Sequence, residues 1–269
     1  MSDTLTRPGL RALGSLYEDA RQRLVMLVRE AVFLDPAAAS MPTPACPTWR
    51  VRDVIAHLSG LAADIASGNL DGAATDAWTA AQVDARRELP VEDLLAESDE
   101  VGPQLAAFVD DFPGRYGAQV VADITVHEHD IRGALQRPGA RDSAGVAHAV
   151  TFLLTTLAAP GAKALGLPAL HIAAGEHAAV VGGADAPPAD PVTAIQSAIA
   201  DGSWPPESID TGGPTSSRLD ASPFELFRAL TGRRSLDQVH RLGWSGDPTP
   251  YDGLFGLWPF TRRTADLLE

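Results

Sequence analysis

The sequence predicts a mainly α protein, in which an N-terminal four-helix bundle is followed by a smaller α+β domain. Residues 10–136 hold long segments in which apolar positions recur about every 3.6 residues. The connections between these segments are short, as in helix bundles. After residue 142 short alternating runs bounded by glycine indicate strands. We therefore place the domains at residues 1–142 and 143–269.

The first two bundle helices are separated by a proline-rich segment. Apolar residues at helical spacing predict a helix over residues 10–33 and a second from residue 50 to about 68. Between them, residues 35–47 are rich in proline and alanine. Because proline lacks the backbone donor and fixes φ, we expect a loop there.

The remaining bundle helices follow in order. A short helix is predicted over residues 75–87 and a longer one over residues 91–112, with a disturbance at Gly102 and Pro103. The last helix is predicted over residues 116–136, where the next three residues, Arg-Pro-Gly, form a stop signal.

The C-terminal domain is predicted to alternate helices and strands. Ser222 is a good N-cap for a helix that runs to about residue 230, because Pro follows it and Glu225 can close a capping box. The other predicted elements are a helix at 143–165, strands at 170–174, 177–181 and 218–221, a helix at 191–200 and a loop at 201–213.

Composition excludes several classes of protein. The formal net charge is −14 and no basic run compensates for it, so we expect no nucleic-acid partner. Cys46 is the only cysteine, which excludes an internal disulfide and a multi-cysteine metal site. Polar residues and Pro160 interrupt the apolar stretch at 144–166, and the N-terminus lacks a signal-peptide pattern. We therefore expect a cytoplasmic protein with no membrane partner.

Two predicted helices carry a possible metal site. His57 lies three residues after Val54 and four before Leu61, which places it on the apolar face of its helix. Asp123 and His127 are one turn apart on the last bundle helix, and Asp130 continues the same stripe. A histidine from a facing helix would complete a three-ligand site with one open position. The alternatives are a core histidine satisfied by hydrogen bonds, a buried Asp-His pair without metal, and a solvated face.

Other reactive residues are weaker candidates. Arg86 and Arg87 could clamp an anionic substrate near the metal, although a solvated helix end is the commoner fate of such a pair. Cys46 has no cation or base near it in sequence, so we expect it to pack as a small apolar group. His129 should point away from His127, because two residues turn a helix by about 200°. We assign no role to the remaining histidines, His148, His171, His177 and His240.

Three segments resemble the mycothiol-dependent maleylpyruvate isomerase family of the DinB-like superfamily. Residues 46–60 read CPTWRVRDVIAHLSG, and residues 123–134 read DITVHEHDIRGA. The stretch ASPFELFRALTGRRS at 221–235, with WSGD at 244–247, resembles the C-terminal domain of the same family. The resemblance implies a DinB-like four-helix bundle with one divalent metal held by His57, Asp123 and His127. The family carboxylate is often Glu, so Asp123 has a shorter reach. Asp130 matches a recurring Asp that supports the ligands or contacts neighbouring helices.

The resemblance also implies a thiol-dependent reaction in which mycothiol, held as a thiolate on the metal, adds to a small electrophile. Either an isomerase or an S-transferase would follow, working as a monomer or homodimer. Zinc suits two histidines and a carboxylate with an open position, but nickel, manganese and iron accept similar ligands. A metal-dependent hydrolase and a non-catalytic binding module are the alternatives. All but one of the 21 basic residues are arginine, and alanine is abundant, which favours an actinobacterial source.

Overall fold

The computed structural model describes residues 12–112, 116–183 and 217–269. Its N-terminal part is a bundle of four long helices with one short helix beside them, and the predicted mainly α fold with a small sheet is confirmed. The helices of this part are α1 (Leu13–Leu34), α2 (Val51–Ser67), α3 (Asp76–Ala85), α4 (Val91–Val109) and α5 (Tyr116–Ala134).

The bundle core lies among α1, α2, α4 and α5. Helix α2 packs against α4, and α1 packs against both α4 and α5. Helix α2 begins where the Asp53 carboxylate accepts a hydrogen bond from the backbone N–H of Arg50 at 2.8 Å. It ends at Gly68, whose φ of +77° is the left-handed conformation that favours glycine at a helix C-terminus. Both ends therefore lie where the sequence predicted them.

Helix α4 and the loop before α2 differ from the predictions in detail. Helix α4 runs through Gly102 and Pro103 without a break. The buried Arg21 side chain lies against Gly102, where an added Cβ atom would be 2.2 Å from Arg21 Cδ. The predicted loop at 35–47 contains a short 3-10 helix, Pro36–Ser40, which the Asp35 side chain caps by accepting from the N–H of Ala37.

The C-terminal part packs helices against one face of a small sheet. Its elements are α6 (Ala144–Ala164), β1 (Leu170–Ala174), β2 (His177–Val181), β3 (Ser217–Ala221), α7 (Pro223–Leu230), α8 (Leu236–His240) and β4 (Gly243–Ser245). The strand order is β2-β1-β3-β4, with β1 and β3 parallel and the two outer pairs antiparallel. The predicted Ser222 cap is present, since its Oγ accepts from the N–H of Glu225.

In the described residues of the C-terminal part, three short elements were not predicted: α8, β4 and the 3-10 helix Thr249–Leu254. They are three to six residues long, too short to show a hydrophobic period. The helix predicted at 191–200 and the loop predicted at 201–213 lie outside the described residues.

Helix α6 has the length and composition of a membrane span, although no span was predicted there. The helix includes a π-helical turn, Leu154–Ala158, and 56% of its most apolar 18-residue segment is buried. The buried residues, among them Val146, Val150 and Leu153, belong to the C-terminal core. Such burial is what the core helix of a globular domain shows.

Helix α5 contributes to two hydrophobic cores. Val121 and Ile124 pack in the bundle, whereas Ala122 and Val126 pack in the core of the C-terminal part. Every residue from Ile124 to Ile131 is buried. A helix that is buried all round is expected where two layers cover it. Polar side chains on this segment must therefore find partners within the protein.

Candidate metal centre

The three predicted metal ligands lie together between α2 and α5. His57 Nε2 is 3.4 Å from Asp123 Oδ2, and His127 Nε2 is 3.7 Å from Asp123 Oδ1. One ligand atom from each of the three residues falls within 4.8 Å of the others. This is the spacing of groups that could hold a metal ion.

Hydrogen bonds on the far side of each ring fix how the two histidines face Asp123. His57 Nδ1 is 2.9 Å from Gln82 Oε1, and His127 Nδ1 is 3.1 Å from Asp130 Oδ2. Since both partners are oxygen acceptors, each Nδ1 carries the proton. Both Nε2 atoms are therefore the ring nitrogens that face the Asp123 carboxylate.

Asp123 completes a set of converging acceptors. Its Oδ2 atom is buried and accepts no well-formed hydrogen bond among the described residues. Burial raises the pKa of the Asp123 carboxyl, but His127 and His57 lower it more, so the pKa lies below its ordinary value. The three residues are spaced as groups that could hold a metal ion, and a donor set of two histidines and one carboxylate suits zinc.

The site has one closed side and one open side. The Trp49 ring lies 5.3 Å from the His57 ring and 5.8 Å from the His127 ring, measured between centroids. Both histidines are buried, whereas the Asp123 side chain keeps 32% of its surface exposed. A ligand from solvent would therefore approach past Asp123.

Asp130 is buried in a network of charges behind His127. Arg228 donates to Asp130 Oδ1 and Arg233 donates to Asp130 Oδ2, each at 2.8 Å. Burial opposes ionisation of Asp130, but Arg233 and Arg228 hold its pKa well below the ordinary value. Arg228 also bonds the Glu269 carboxylate at 2.8 and 2.9 Å. Residues of the C-terminal part thus contact the carboxylate that binds His127, a candidate ligand.

Three residues that contact the candidate site were not predicted from the sequence: Gln82, Arg228 and Arg233. They come from α3, from α7 and from the segment after α7. Gln82 could have been suspected as a polar residue in a short helix, but nothing in the sequence connected the two arginines to α5. Only the docking of α7 against α6 and α5 brings them to Asp130.

The expectation for Cys46 was partly wrong. It does lie against a cation and a carboxylate, since Arg233 Nη2 is 3.6 Å and Asp130 Oδ2 is 3.3 Å from its Sγ atom. Burial and the Asp130 charge raise the pKa of the thiol to about 12. A thiol with so high a pKa is protonated at neutral pH, so it is a poor nucleophile.

Arg86 and Arg87 are bound to other residues. Arg86 makes two hydrogen bonds of 2.6 Å to the Glu97 carboxylate, and Arg87 forms an exposed ion pair with Asp84. Their role as an anion clamp stays a prediction. His129 faces the other side of α5, where its ring lies 4.9 Å from that of Phe224.

The sequence profile of the mycothiol maleylpyruvate isomerase N-terminal domain matches residues 17–132. The helical bundle belongs to this family. The mycothiol maleylpyruvate isomerase N-terminal domain thus spans α1 to α5 and contains His57, Asp123 and His127. No curated protein and no solved structure matches the chain. The resemblance of residues 221–235 to the C-terminal domain of the same family lies outside the match and stays a prediction.

Proposed function

We propose that this chain is a metal-dependent, mycothiol-dependent isomerase or S-transferase that acts on a small electrophilic substrate in the cytoplasm. The observation that carries the proposal is the convergence of His57 Nε2, His127 Nε2 and the Asp123 carboxylate at the spacing of groups that could hold a metal ion. The family of the bundle supports mycothiol as the thiol. We propose zinc as the metal.

Each residue of the site has a separate task in this proposal. His57, Asp123 and His127 would hold the metal, and Trp49 would exclude water from the closed side. The open side at Asp123 would admit the thiol. A divalent metal bound there would lower the pKa of the thiol and hold it as the nucleophilic thiolate. Arg86 and Arg87 would bind an anionic group of the substrate after exchange with Glu97 and Asp84.

The thiolate sulfur would then bond to an electrophilic carbon of the substrate. In an isomerisation, rotation about the former double bond precedes departure of the thiolate, so the thiol is regenerated. In an S-transfer the adduct is protonated and released. Both reactions share the first step, and the site as described serves either one.

We also propose that the chain divides into domains at residues 1–142 and 143–269, and that the second closes over the mouth of the bundle. Contacts across this division support the closure. Arg233 reaches Asp130 and Cys46, and Arg263 donates to the carbonyl oxygen of Pro44.

Metal content tests the proposal. We expect freshly purified protein to hold about one equivalent of metal, and His57→Ala and His127→Ala to lose it, because each removes one of three ligands. His171→Ala is the matched control, since His171 lies on β1 beside Arg218 and should leave the metal in place. Turnover of electrophiles should then require added mycothiol. Wild-type protein that stays metal-free after incubation with zinc would contradict the proposal.

A further inference from the structure

Helix α3 packs onto the bundle through a buried polar side chain and the half-buried Trp78. Of its ten residues, Gln82 is the buried one, with 2% of its surface exposed. Helices usually dock through a stripe of apolar residues. The fully buried side chain of α3 is instead an amide, and it contacts a candidate metal ligand.

The Gln82 amide has one possible orientation. Its Nε2 atom lies 2.8 Å from Asp64 Oδ2, and an ionised carboxylate can only accept hydrogen bonds. The NH₂ group must therefore face Asp64, which turns Oε1 toward His57 Nδ1 at 2.9 Å. The other Asp64 oxygen accepts from Asn69 Nδ2 at 2.8 Å, so the carboxylate is itself held in place.

Close packing of α3 against α2 makes this contact possible. A Cβ atom added at Gly60 would lie 2.6 Å from Gln82 Cβ, closer than side-chain carbons approach. Arg52 of α2 holds the segment that follows α3, because it donates to the carbonyl oxygens of Arg87 and Leu89 at 2.7 and 2.6 Å. The glycine allows Gln82 to reach His57, and the arginine keeps it there.

We propose that Gln82 is the positioning residue of the His57 ligand and that Asp64 sets its direction. The chain Asp64–Gln82–His57 places the proton on Nδ1 and leaves the Nε2 lone pair for the metal. Ligand histidines are commonly oriented by such a partner, whose loss typically lowers metal affinity by about 10–100-fold. The inference rests on the metal site of the proposed function.

Zinc affinity, measured by competition with a chelator, tests the inference in the full chain. Gln82→Met keeps a side chain of similar length over Gly60 but removes the acceptor, so we expect affinity to fall by about 10–100-fold. Gln82→Glu alone sets two carboxylates side by side and should also weaken binding. In the double variant Gln82→Glu with Asp64→Asn, the amide at position 64 can donate to the carboxylate at position 82. Its oxygen can still accept from Asn69. We expect this double variant to recover affinity to within several-fold of the wild type.

The rescue separates positioning from packing. If Gln82 only filled space, the nearly isosteric Gln82→Glu would bind zinc as tightly alone as with Asp64→Asn. Circular dichroism of the metal-free variants shows whether each is folded, and the double variant answers the question even if Gln82→Met is not. Unchanged affinity in Gln82→Met, with binding lost in His57→Ala, overturns this inference and leaves the metal site standing. A wild type that binds no zinc overturns both.

Discussion

At the scale of single residues, the histidines differ in the partner that each ring nitrogen contacts. His57 and His127 have an acceptor on Nδ1 and a carboxylate on the other side. His148 instead places Nε2 3.1 Å from the carbonyl oxygen of Ala118. Burial lowers the pKa of His148 more than this bond raises it. His148 is therefore neutral in the folded protein at neutral pH.

Stability should depend on pH through His148. A depressed pKa in the folded state contributes stability above the unfolded pKa of about 6.5, and this contribution is lost as the pH falls through the folded pKa. His148→Gln can keep a donor for Ala118 without titrating. We expect the fall in the urea midpoint from pH 7.5 to pH 5 to be smaller in this variant than in the wild type. Parallel pH profiles for the two proteins would rule out the contribution.

Cys46 shows how far a residue's neighbours in space can depart from its neighbours in sequence. Its sequence context is rich in proline and holds no base. The fold nevertheless sets it beside Asp130 and Arg233, from segments 84 and 187 residues away. Its raised pKa argues against a nucleophile in spite of the nearby cation, because burial dominates.

At the scale of elements, glycines decide how closely helices approach. A Cβ atom added at Gly14 of α1 would lie 2.2 Å from the carbonyl oxygen of Ala106 in α4. A Cβ atom added at Gly117 of α5 would likewise lie 2.1 Å from the carbonyl oxygen of Val109 in α4. These neighbours are backbone atoms, which cannot move aside without shifting the helix.

Gly14→Ala should therefore destabilise the bundle. Although alanine favours helices more than glycine does, the clash forces α1 away from α4, and overpacking of this kind costs about 1–3 kcal/mol. Urea unfolding followed by circular dichroism measures the change. Ser15→Ala, one residue on and exposed, is the control and should leave the midpoint almost unchanged. Equal midpoints for Gly14→Ala and the wild type would show that the helices can separate freely.

At the scale of the whole molecule, α5 and its charges join the two cores. Arg228 is completely buried between Asp130 of α5 and the Glu269 side chain. Asp130 in turn meets His127, so the C-terminal part and the candidate metal centre share one hydrogen-bonded network. Loss of Arg228 would remove one buried cation from each of these two carboxylates.

Arg228→Met should lower the free energy of unfolding by about 3–5 kcal/mol, because it removes the buried cation that pairs with both Asp130 and Glu269, and breaking a buried ion pair costs about that much. Arg218→Met removes an exposed arginine paired with Asp220 and should have little effect. Urea unfolding of both variants beside the wild type provides the measurement. Similar losses in the two variants would mean that the buried network adds no more stability than a surface pair.

The sequence by itself determined the helices of the bundle, the strands β1 to β3 and the spacing of the three ligand candidates. Hydrophobic period, caps and prolines are local signals, so a single chain carries them. Helix α5 was harder to interpret, because burial from two sides leaves no polar face to show which way His127 points.

Tertiary structure alone decided which partners the ligand candidates have. Gln82 reaches His57 because Gly60 lets α3 approach, and Asp130 is ionised because Arg228 and Arg233 arrive from about 100 residues away. Such contacts depend on how elements pack, and no local period or motif encodes packing between distant segments. The sequence was enough to predict the ligands of the candidate site. The residues that orient those ligands could be identified only from the fold.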